Sequence, residues 1–564
     1  MEVTRRDFLK LAAIAGGLAA ADRPGLLAAD APGKLLQFQP LGNVTLLHMT
    51  DSHAMLLPVH YREPDTLLGI GPEKGRPPYL TGEAFLEFYG IRRGTAEAYA
   101  LAHLDFAELA KRYGRMGGYA HIATMVKRVR AERPGRTLLL DGGDTLQGSA
   151  TALWTNAGDM LQVINQLGVE VFAPHWEFTF GIDRVKELFG DKDKPGRFKG
   201  EFIAQNVMDI SWGAPGDPVF KPYTVRELGG ARIGIVGQAF PYVPISHPLR
   251  FVPDLSFGIR EEQLQQRVDE LRQQKVDAVV LLSHNGVGVD LKLAGRVRGI
   301  DVILGGHTHD ALPQPIKVGN TLVINSGAYG KFLSRLDLDV KGGKIAGYRY
   351  KLLPVLSSDI PADAEMAALI GNIRAPHQSR LAERLAVSEG LLYRRGNFNG
   401  SFDEVILEAM LKHYDAQVVF SPGFRWGASV LPGQAITLED VYTQTALTYP
   451  NTWSREMSGA DIKTIMEDVA DNLFHKDPYY RQGGDMVRVG GLSYTIDPGK
   501  DGGQRISDLR IGGRLVDPAR RYKAAGWASM LQVDGPPVFD VVANYLRQAK
   551  RVQVEPRPRV KVIS

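Results

Sequence analysis

Short apolar runs in the first half of the chain each end at a polar or glycine-rich turn. The runs lie at 44–49, 137–140, 169–173, 278–282 and 302–304. Runs rich in Leu and β-branched residues, bounded by Gly, Asp and Asn, are typical of buried strands. The carboxyl ends of parallel strands meet at one edge of an α/β sheet, where such folds assemble their sites. The pattern therefore predicts an α/β fold with a polar site at the strand ends.

Helical periodicity alternates with these strands and continues through the second half of the chain. The clearest helices are predicted at 120–130, 261–275, 402–414, 459–473 and 537–550. Residues 361–385 are predicted to be a linker with a helix at 364–374, because Pro376 cannot continue that helix. Gly- and Pro-rich turns beyond the linker indicate a second, mixed α/β domain over 386–564.

A segment at about 59–113 interrupts the first domain, which is predicted to span 34–360. This insertion is rich in Gly, Pro, Tyr and charged residues and directly follows the first polar cluster. Loops of this length are uncommon in compact domains and are usually either disordered or functional lids. The sequence leaves both alternatives open.

The N-terminus has the features of an export signal. Arg5 and Arg6 precede a run of small and apolar residues over 11–21, and Ala28 and Ala29 offer a cleavage zone. The pattern resembles a twin-arginine signal, and an amphipathic N-terminal helix is the alternative. The run is shorter than the roughly 20 residues needed to span a bilayer. We therefore expect residues 1–30 to be a twin-arginine signal and the mature protein to be soluble in the periplasm.

Composition narrows the chemistry that the polar site can perform. The 564 residues include 13 His and no Cys, which excludes disulfides, thiolate zinc sites and a cysteine nucleophile. The formal net charge of +4 at pH 7 is small for this length, so a nucleic-acid partner is not expected. Any metal ion must be held by His, Asp, Glu, Asn or Gln.

The turns at the strand ends hold residue types that bind metal ions. The candidate ligands are Asp51, His53, Asp144, His175, His284, His307 and His309. Each motif alone also occurs in ordinary turns, but packing does not explain so many His at strand ends. Nitrogen and oxygen ligands without thiolates favour Mn²⁺, Fe²⁺ or Zn²⁺. The set is too large for one ion, and two ions about 3.5–4 Å apart, bridged by a carboxylate, would use all of it.

In chain order, these motifs resemble the metallophosphoesterase core of the 5′-nucleotidase family. That core has D-x-H, then G-D, then G-N-H-E-F-D, then a strand-end His, then G-H-x-H. The resemblance implies a four-layer α/β sandwich followed by a mixed α/β substrate-binding domain. It also implies two ligand groups that share Asp144: Asp51, His53, Asp144 and His309 in one, and Asp144, His175, His284 and His307 in the other.

The departures from that family are informative. Where the family has G-N-H-E-F-D, this chain has Pro-His-Trp-Glu-Phe-Thr at 174–179. His175 replaces the family's Asn ligand, Trp176 replaces its catalytic His, and Thr179 replaces the Asp that supports this His. In the second domain, the family's N-G-G-x-R segment appears as Ser-Pro-Gly-Phe-Arg at 421–425, so Arg425 remains in changed surroundings. These losses argue against a nucleotide substrate.

One branch of the superfamily carries this altered pattern. The His-Trp-Glu-Phe-Thr segment, the insertion, the Gln-Gly-Gly-Asp-Met-Val-Arg segment at 482–488 and the twin-arginine signal resemble the Sox sulfur-oxidation thiosulfohydrolases. The resemblance implies two Mn²⁺, with Zn or Fe as alternatives. It implies release of sulfate from a cysteine S-thiosulfonate on the C-terminal arm of a SoxYZ-like carrier complex. Because a persulfide can leave as an anion, the lost general acid matters less.

The resemblance also implies roles for residues beside the ligands. Arg425 is expected to contact the sulfonate oxygens or the arm, because its fork matches a tetrahedral oxyanion; a surface salt bridge is the alternative. Gln482 and Asp485 are expected substrate contacts, and a structural glycine turn is the alternative. Asn206 and Asn285 are expected to position the developing oxyanion from behind the ligands, and Trp176 is expected to wall a narrow channel together with the insertion.

Two other functions remain open from the sequence. One is a periplasmic 5′-nucleotidase-like phosphoesterase with an altered leaving-group pocket, which 5′-AMP hydrolysis would reveal. The other is a non-catalytic binding protein that keeps the fold, which a failure to take up manganese or zinc would indicate. The function that the sequence favours is a periplasmic dimanganese thiosulfohydrolase.

Overall fold

The computed structural model describes residues 32–190, 193–211, 213, 216–554 and 559–563. The predicted export signal at 1–30 lies outside these residues. Within the described ranges, none of the helices combines the length and apolar character that crossing a bilayer requires.

Strands and helices alternate through the first half of the chain, as the apolar pattern predicts. The strands are β1 (Val44–Met49), β2 (Thr137–Asp141), β3 (Val171–Phe172), β4 (Glu201–Phe202), β5 (Met208–Asp209), β6 (Tyr223–Leu228), β7 (Ala231–Gln238), β8 (Leu255–Ser256), β9 (Ala278–Ser283), β10 (Val302–Gly305), β11 (Ile316–Val318), β12 (Thr321–Asn325), β13 (Phe332–Lys341) and β14 (Lys344–Pro354). The helices are Pro32–Leu35, Gly82–Tyr89, Ala96–Leu101, Phe106–Tyr113, Tyr119–Glu132, Ala150–Trp154, Gly158–Leu167, Ile182–Phe189, Val243–Ser246, Glu261–Gln273 and Val287–Arg296. The helices and strands predicted here are confirmed, although β3 is shorter than its apolar run.

Two six-stranded sheets form the centre of the first half within the described residues. Their strand orders are β14-β13-β1-β2-β3-β4 and β11-β12-β10-β9-β7-β6. Strands β1 to β4 are parallel to one another, and β7, β9, β10 and β12 are parallel in the second sheet. The turns that follow these strands therefore come together at one edge of the two sheets.

Alternate side chains of each strand face different layers of the fold. In β1, Leu46 belongs to the apolar layer between the sheets, whereas Leu47 packs with the outer helices. In β9, Val280 lies between the sheets and Val279 packs against the helix Glu261–Gln273. Because a strand presents successive side chains to opposite faces, this gives a helix–sheet–sheet–helix arrangement. The predicted four-layer α/β sandwich is confirmed.

The second half is mixed α/β, as predicted. Its strands are β15 (Arg384–Ser388), β16 (Val418–Ser421), β17 (Ala435–Thr437), β18 (Thr452–Ser458), β19 (Arg488–Gly490), β20 (Leu492–Ile496), β21 (Ile506–Ile511), β22 (Arg514–Leu515), β23 (Arg521–Trp527), β24 (Arg551–Val552) and β25 (Val560–Val562). The helices from the linker onward are Ala364–Arg374, Gln378–Leu381, Ser401–Tyr414, Leu438–Thr445, Gly459–Phe474 and Val538–Ala549. The strands form sheets of order β17-β15-β24, β18-β23-β16-β19 and β22-β21-β20-β25.

A shared apolar core joins the two halves beside the strand ends. Met55, Tyr61 and Trp176 from the first half pack in one cluster with Trp426 and Leu447 from the second half. Burial of such side chains contributes on the order of 1.5–3 kcal/mol each. The second half therefore closes over the edge of the sheets where the predicted ligands lie.

The insertion at 59–113 is an ordered layer with three short helices, Gly82–Tyr89, Ala96–Leu101 and Phe106–Tyr113. Its buried Tyr99 and Phe106 pack in a cluster with Phe332 of β13 and Leu352 of β14. Of the two alternatives left by the sequence, the disordered loop is wrong. The apolar faces of the short helices are buried against the edge of the first sheet, which holds them in place.

Candidate metal centre

The turns that carry the candidate ligands have unusual backbone conformations. Positive φ angles occur at Asp51 (52°), His53 (47°), Asp144 (55°), His307 (74°) and His309 (59°). Each such residue costs roughly 1–2 kcal/mol, and this strain persists only where surrounding structure imposes it. Backbone bonds do so for the first two turns: Asp51 N–H donates to Gly143 O at 2.8 Å, and His53 N–H donates to Asp144 O at 2.8 Å.

The structure brings all the candidate ligands together in two groups that share one carboxylate. The groups are Asp51, His53, Asp144 and His309, and Asp144, His175, His284 and His307. Within each group the ligand atoms lie within 4.8 Å of one another. No member is more than 8% exposed. The grouping is the one that the family resemblance implies, with Asp144 common to both.

Short contacts surround the two carboxylates. Asp144 Oδ2 lies 3.1 Å from His284 Nε2, and Asp144 Oδ1 lies 3.1 Å from His175 Nδ1. Asp51 Oδ1 lies 3.3 Å from His309 Nε2. His53 Nε2 is 3.8 Å from Asp144 Oδ2 and 3.1 Å from His309 Nε2. Carboxylate and imidazole atoms thus converge from five turns on one small volume.

Hydrogen bonds behind the ligands fix which ring nitrogens face this volume. His284 Nδ1–H donates to Gly142 O at 2.5 Å, and His307 Nε2–H donates to Gln482 O at 2.8 Å. Among the described residues, the opposite nitrogens, His284 Nε2 and His307 Nδ1, are buried without a hydrogen-bond partner. An imidazole held in this way presents a lone pair to a metal ion. The residues therefore fit two metal ions.

The charges in the site respond to burial and to one another. Burial raises the pKa of Asp51 to about 6, although His284 opposes the shift. Burial would also raise the pKa of Asp144, but His175 and His284 hold it well below its usual range. Burial would lower the pKa of His284, but Asp144 and Asp51 raise it to about 10. Buried carboxylates need compensating positive charge, which a bound divalent cation also supplies.

Comparisons with known proteins agree with this geometry. Residues 388–540 match the family model of the 5′-nucleotidase C-terminal domain. The 5′-nucleotidase of Rattus norvegicus is 25% identical over 440 residues, which cover 70% of this chain and 72% of that protein. The solved structure of the sulfate thiohydrolase SoxB of Thermus thermophilus is 42% identical, with a TM-score of 0.90, over 93% of this chain and 98% of that chain. The chain belongs to the SoxB family.

The wider superfamily shares the fold of this SoxB-family chain. A 5′-nucleotidase precursor from Thermus thermophilus has a TM-score of 0.70 at 22% identity, over 92% of this chain and 99% of that chain. The two ligand groups and these relatives make the SoxB-family chain a dimetal hydrolase of the 5′-nucleotidase superfamily.

Arg425 is buried against the ligand turn and not on the surface. It is 7% exposed, and its Nη1 donates to His307 O at 2.6 Å while Nη2 donates to Gly484 O at 2.8 Å. The alternative of a surface salt bridge is therefore wrong. Two of its five N–H donors are bound to backbone carbonyls, so other donors and the positive charge remain to act at the site.

Gln482 and Asp485 both line the cavity at the ligands. The Gln482 carbonyl touches His307, while its side-chain Nε2 donates to Asn472 Oδ1 at 2.8 Å. Asp485 accepts from Arg488 Nη2 at 2.9 Å. The side chains of both residues are thus hydrogen-bonded within the second half of the chain, at the edge of the cavity.

The two candidate asparagines bond mainly to neighbouring protein groups. Asn206 Nδ2 donates to Ala239 O at 2.8 Å and to Gly258 O at 2.9 Å, and its Oδ1 accepts from Ala239 N. Its amide therefore holds backbone segments together, and none of these three bonds reaches a ligand directly. Asn285 donates to Asp290 Oδ1 at 3.0 Å and lines a smaller neighbouring cavity.

A cavity of about 230 Å³ opens onto the ligands, and its wall is aromatic. Phe424 stacks on Trp426 with ring centroids 3.9 Å apart, and Trp176 meets Trp426 edge-on at 5.0 Å. Trp176 lines the cavity as expected. The insertion residues Leu67, Leu68, Pro78 and Tyr79 line not this cavity but the smaller neighbouring one, which also reaches His307 and Arg425. Tyr61 of the insertion lies behind the ligands, with its hydroxyl 3.5 Å from His309 Nδ1.

Sequence reasoning missed two residues near the ligands, His247 and Arg395. The His247 ring packs 4.4 Å from Trp176 and 5.3 Å from His175. Arg395 Nη2 donates to Thr308 O at 3.0 Å. Neither residue follows a predicted strand or stands in a ligand-like spacing, so no local signal marks it.

Proposed function

We propose that this SoxB-family protein is a dimanganese thiosulfohydrolase that releases sulfate from a cysteine S-thiosulfonate on a SoxYZ-like carrier protein. The observation that carries the proposal is the replacement of the superfamily's acid dyad. Trp176 forms part of the aromatic wall, and Thr179 Oγ1 is hydrogen-bonded to Thr448 Oγ1 at 2.6 Å. Neither side chain can protonate a leaving alkoxide. A persulfide sulfur is a better leaving group and departs as an anion.

The proposed roles of the metal ligands follow from their hydrogen bonds. Two bound metal ions would supply a hydroxide nucleophile at neutral pH and positive charge for the oxygens of a tetrahedral group. Asp144 would be shared between the ions, and the bonds from His284 to Gly142 and from His307 to Gln482 orient those two rings. Nitrogen and oxygen ligands without thiolate suit Mn²⁺, Zn or Fe, and we propose Mn²⁺ because the resemblance to the Sox thiosulfohydrolases implies it.

The surroundings of the ligands suit a sulfonate on a thin arm. The side chains of Trp176, Phe424 and Trp426 give the cavity an aromatic wall beside the ligands. The Arg425 guanidinium lines the same cavity, so its charge stabilises negative charge that develops on the sulfonate oxygens. We propose that the carrier's cysteine arm enters along this wall.

The place of the reaction is also a proposal. Arg5 and Arg6, with the small and apolar residues that follow, support export through the twin-arginine pathway. Thiosulfate oxidation in the periplasm would bring the exported enzyme and its carrier into one compartment.

The deciding experiment compares two substrates on the manganese-loaded protein. One is a carrier whose C-terminal cysteine bears a thiosulfonate, with sulfate followed by ion chromatography, and the other is 5′-AMP, with phosphate followed. The matched control is the same carrier with its cysteine alkylated before loading. We expect sulfate from the loaded carrier alone and little phosphate. Rapid release of phosphate from 5′-AMP without release of sulfate would instead identify a phosphoesterase.

A further inference from the structure

The turn that carries His307 and His309 is held from outside the metal-binding half. Arg425 Nη1 donates to His307 O at 2.6 Å, and Arg395 Nη2 donates to Thr308 O at 3.0 Å. The Gln482 carbonyl accepts from His307 Nε2. These three partners all belong to the second half of the chain. The second half of the chain is thus hydrogen-bonded to two consecutive carbonyls of the turn and to one ligand ring.

This turn needs support because its backbone is strained and because it serves both ligand groups. His307 and His309 have φ angles of 74° and 59°. His307 belongs to one group and His309 to the other. Within the first half, the turn is held through its N–H groups: His307 N–H donates to the Asp51 carboxylate at 3.0 Å, and Thr308 N–H donates to Gly306 O. The arginines of the second half hold its carbonyls.

Arg395 is a costly residue to bury, which indicates a specific role. Its side chain is 1% exposed, and among the described residues its Nε and Nη1 have no hydrogen-bond partner. Its nearest carboxylate contact is Asp310 Oδ1 at 3.9 Å. A buried cation with unpaired donors is destabilising. Its hydrogen bond to Thr308 O, which lies between the two ligands in the chain, offsets part of this cost.

Gly483 is a second, independent sign that the second half of the chain lies close to the turn of His307 and His309. Its φ is +72°, and a Cβ at this position would lie 2.8 Å from His307 Nε2 and 3.0 Å from Arg425 Nη2. A side chain would therefore push the loop away from the ligand ring. Only glycine allows the Gln482 carbonyl to reach His307.

We propose that Arg395 is a positioning residue of the metal centre. By fixing the Thr308 carbonyl, it aims His307 and His309 at their separate ions. Metal affinity then depends on the docking of the second half against the first. The inference rests on the metal centre of the proposed function and not on the identity of its substrate.

The test compares two buried arginines of the second half in the full chain. Arg395→Gln removes the donor to Thr308. The matched control is Arg505→Gln: Arg505 is 2% exposed and bonds Asp471 Oδ1 at 2.7 Å and Phe474 O at 2.9 Å, away from the turn. We expect Arg395→Gln to weaken Mn²⁺ binding by about 10–100-fold, measured by calorimetric titration and by the electron paramagnetic resonance of free Mn²⁺. Arg505→Gln should lower the melting temperature but keep wild-type Mn²⁺ affinity.

Two further variants keep the inference testable if Arg395→Gln does not fold. Arg395→Lys keeps the charge and one donor, so its Mn²⁺ affinity should lie between those of the wild type and the Gln variant. Gly483→Ala should weaken Mn²⁺ binding by displacing His307. Wild-type affinity in the Arg395 variants, or an equal loss in Arg505→Gln, would overturn the inference. A wild-type chain that binds none of Mn²⁺, Zn²⁺ and Fe²⁺ would be a different result, because it would refute the metal centre itself.

Discussion

The pKa values of Asp144 and Asp141, three residues apart at the end of β2, are shifted in opposite directions. Asp144 contacts two imidazoles, and its Oδ1 accepts from Trp176 N at 2.8 Å, so its carboxylate stays ionised. Burial raises the pKa of Asp141 well above its usual range, although the Thr145 hydroxyl opposes the shift. Two acids with the same burial therefore differ because only one has cationic partners.

This contrast gives a prediction at the scale of single residues. Asp144→Asn removes the shared ligand charge, so we expect the loss of at least one of two bound ions and a fall in activity of about 100-fold or more. The control is Asp141→Asn, which changes a buried carboxyl outside both ligand groups to an amide of the same shape and should retain both ions. Metal content per chain, measured by elemental analysis after gel filtration, distinguishes them. Equal metal loss in both variants would contradict the shared role of Asp144.

The ligands could be predicted because each follows a strand that its own apolar run reveals. His284 and His307 are examples, since short local motifs place both at strand ends. Arg395 and Tyr61 could not be predicted, because they reach the ligands only through tertiary packing of distant segments. Arg425 was placed at the site by resemblance, but its bonds to two carbonyls depend on how the two halves dock.

At the scale of elements, the insertion is anchored by one buried lysine. Lys331 is 0% exposed and donates to the Glu63 carboxylate, to Tyr61 O at 3.1 Å and to Ala100 O at 2.9 Å. Burial lowers the pKa of Lys331, while Glu63 opposes the shift. The single ammonium thus ties two separate parts of the insertion to the start of β13.

Removal of this anchor should loosen the insertion before the rest of the fold. Lys331→Met leaves Glu63 buried and unpaired, so we expect the free energy of unfolding to fall by about 3–5 kcal/mol. Hydrogen exchange should rise over 59–113, and urea denaturation should measure the loss. Arg93→Met is the control, because Arg93 makes exposed ion pairs with Glu83 and Asp105 within the same insertion. If both variants behaved alike, the anchoring role of Lys331 would be wrong.

The long helices were predictable and the short ones were not, for a physical reason. The helices Tyr119–Glu132 and Ser401–Tyr414 span 14 residues each, which is enough for periodicity to be visible in the sequence. The insertion's helices span only 6 to 8 residues. Isolated helices shorter than about 12 residues are marginal in water. Packing against the edge of the first sheet stabilises the insertion's helices, and this packing leaves no local pattern in the sequence.

At the scale of the whole molecule, the metal centre lies where the two halves meet. Trp176 and Trp426 pack together beside the ligands, and the second half grips the His307 turn. The apolar core that joins the halves continues from this point through Met55 and Leu447. Metal binding, the shared core and domain docking therefore stabilise the same arrangement, and the two halves should unfold together.

Chelation tests this coupling directly. Each ion present at 100 times its dissociation constant contributes about 2.7 kcal/mol of stability, so chelation should lower the midpoint of thermal unfolding and added Mn²⁺ should restore it. Because the halves share one core, scanning calorimetry should show a single transition that moves as a whole. Hydrogen exchange in the helix Ser401–Tyr414, far along the chain from the ligands of the first half, should rise with chelation. If only part of the transition moved and this helix stayed protected, the halves would unfold independently, and their docking could not control metal affinity.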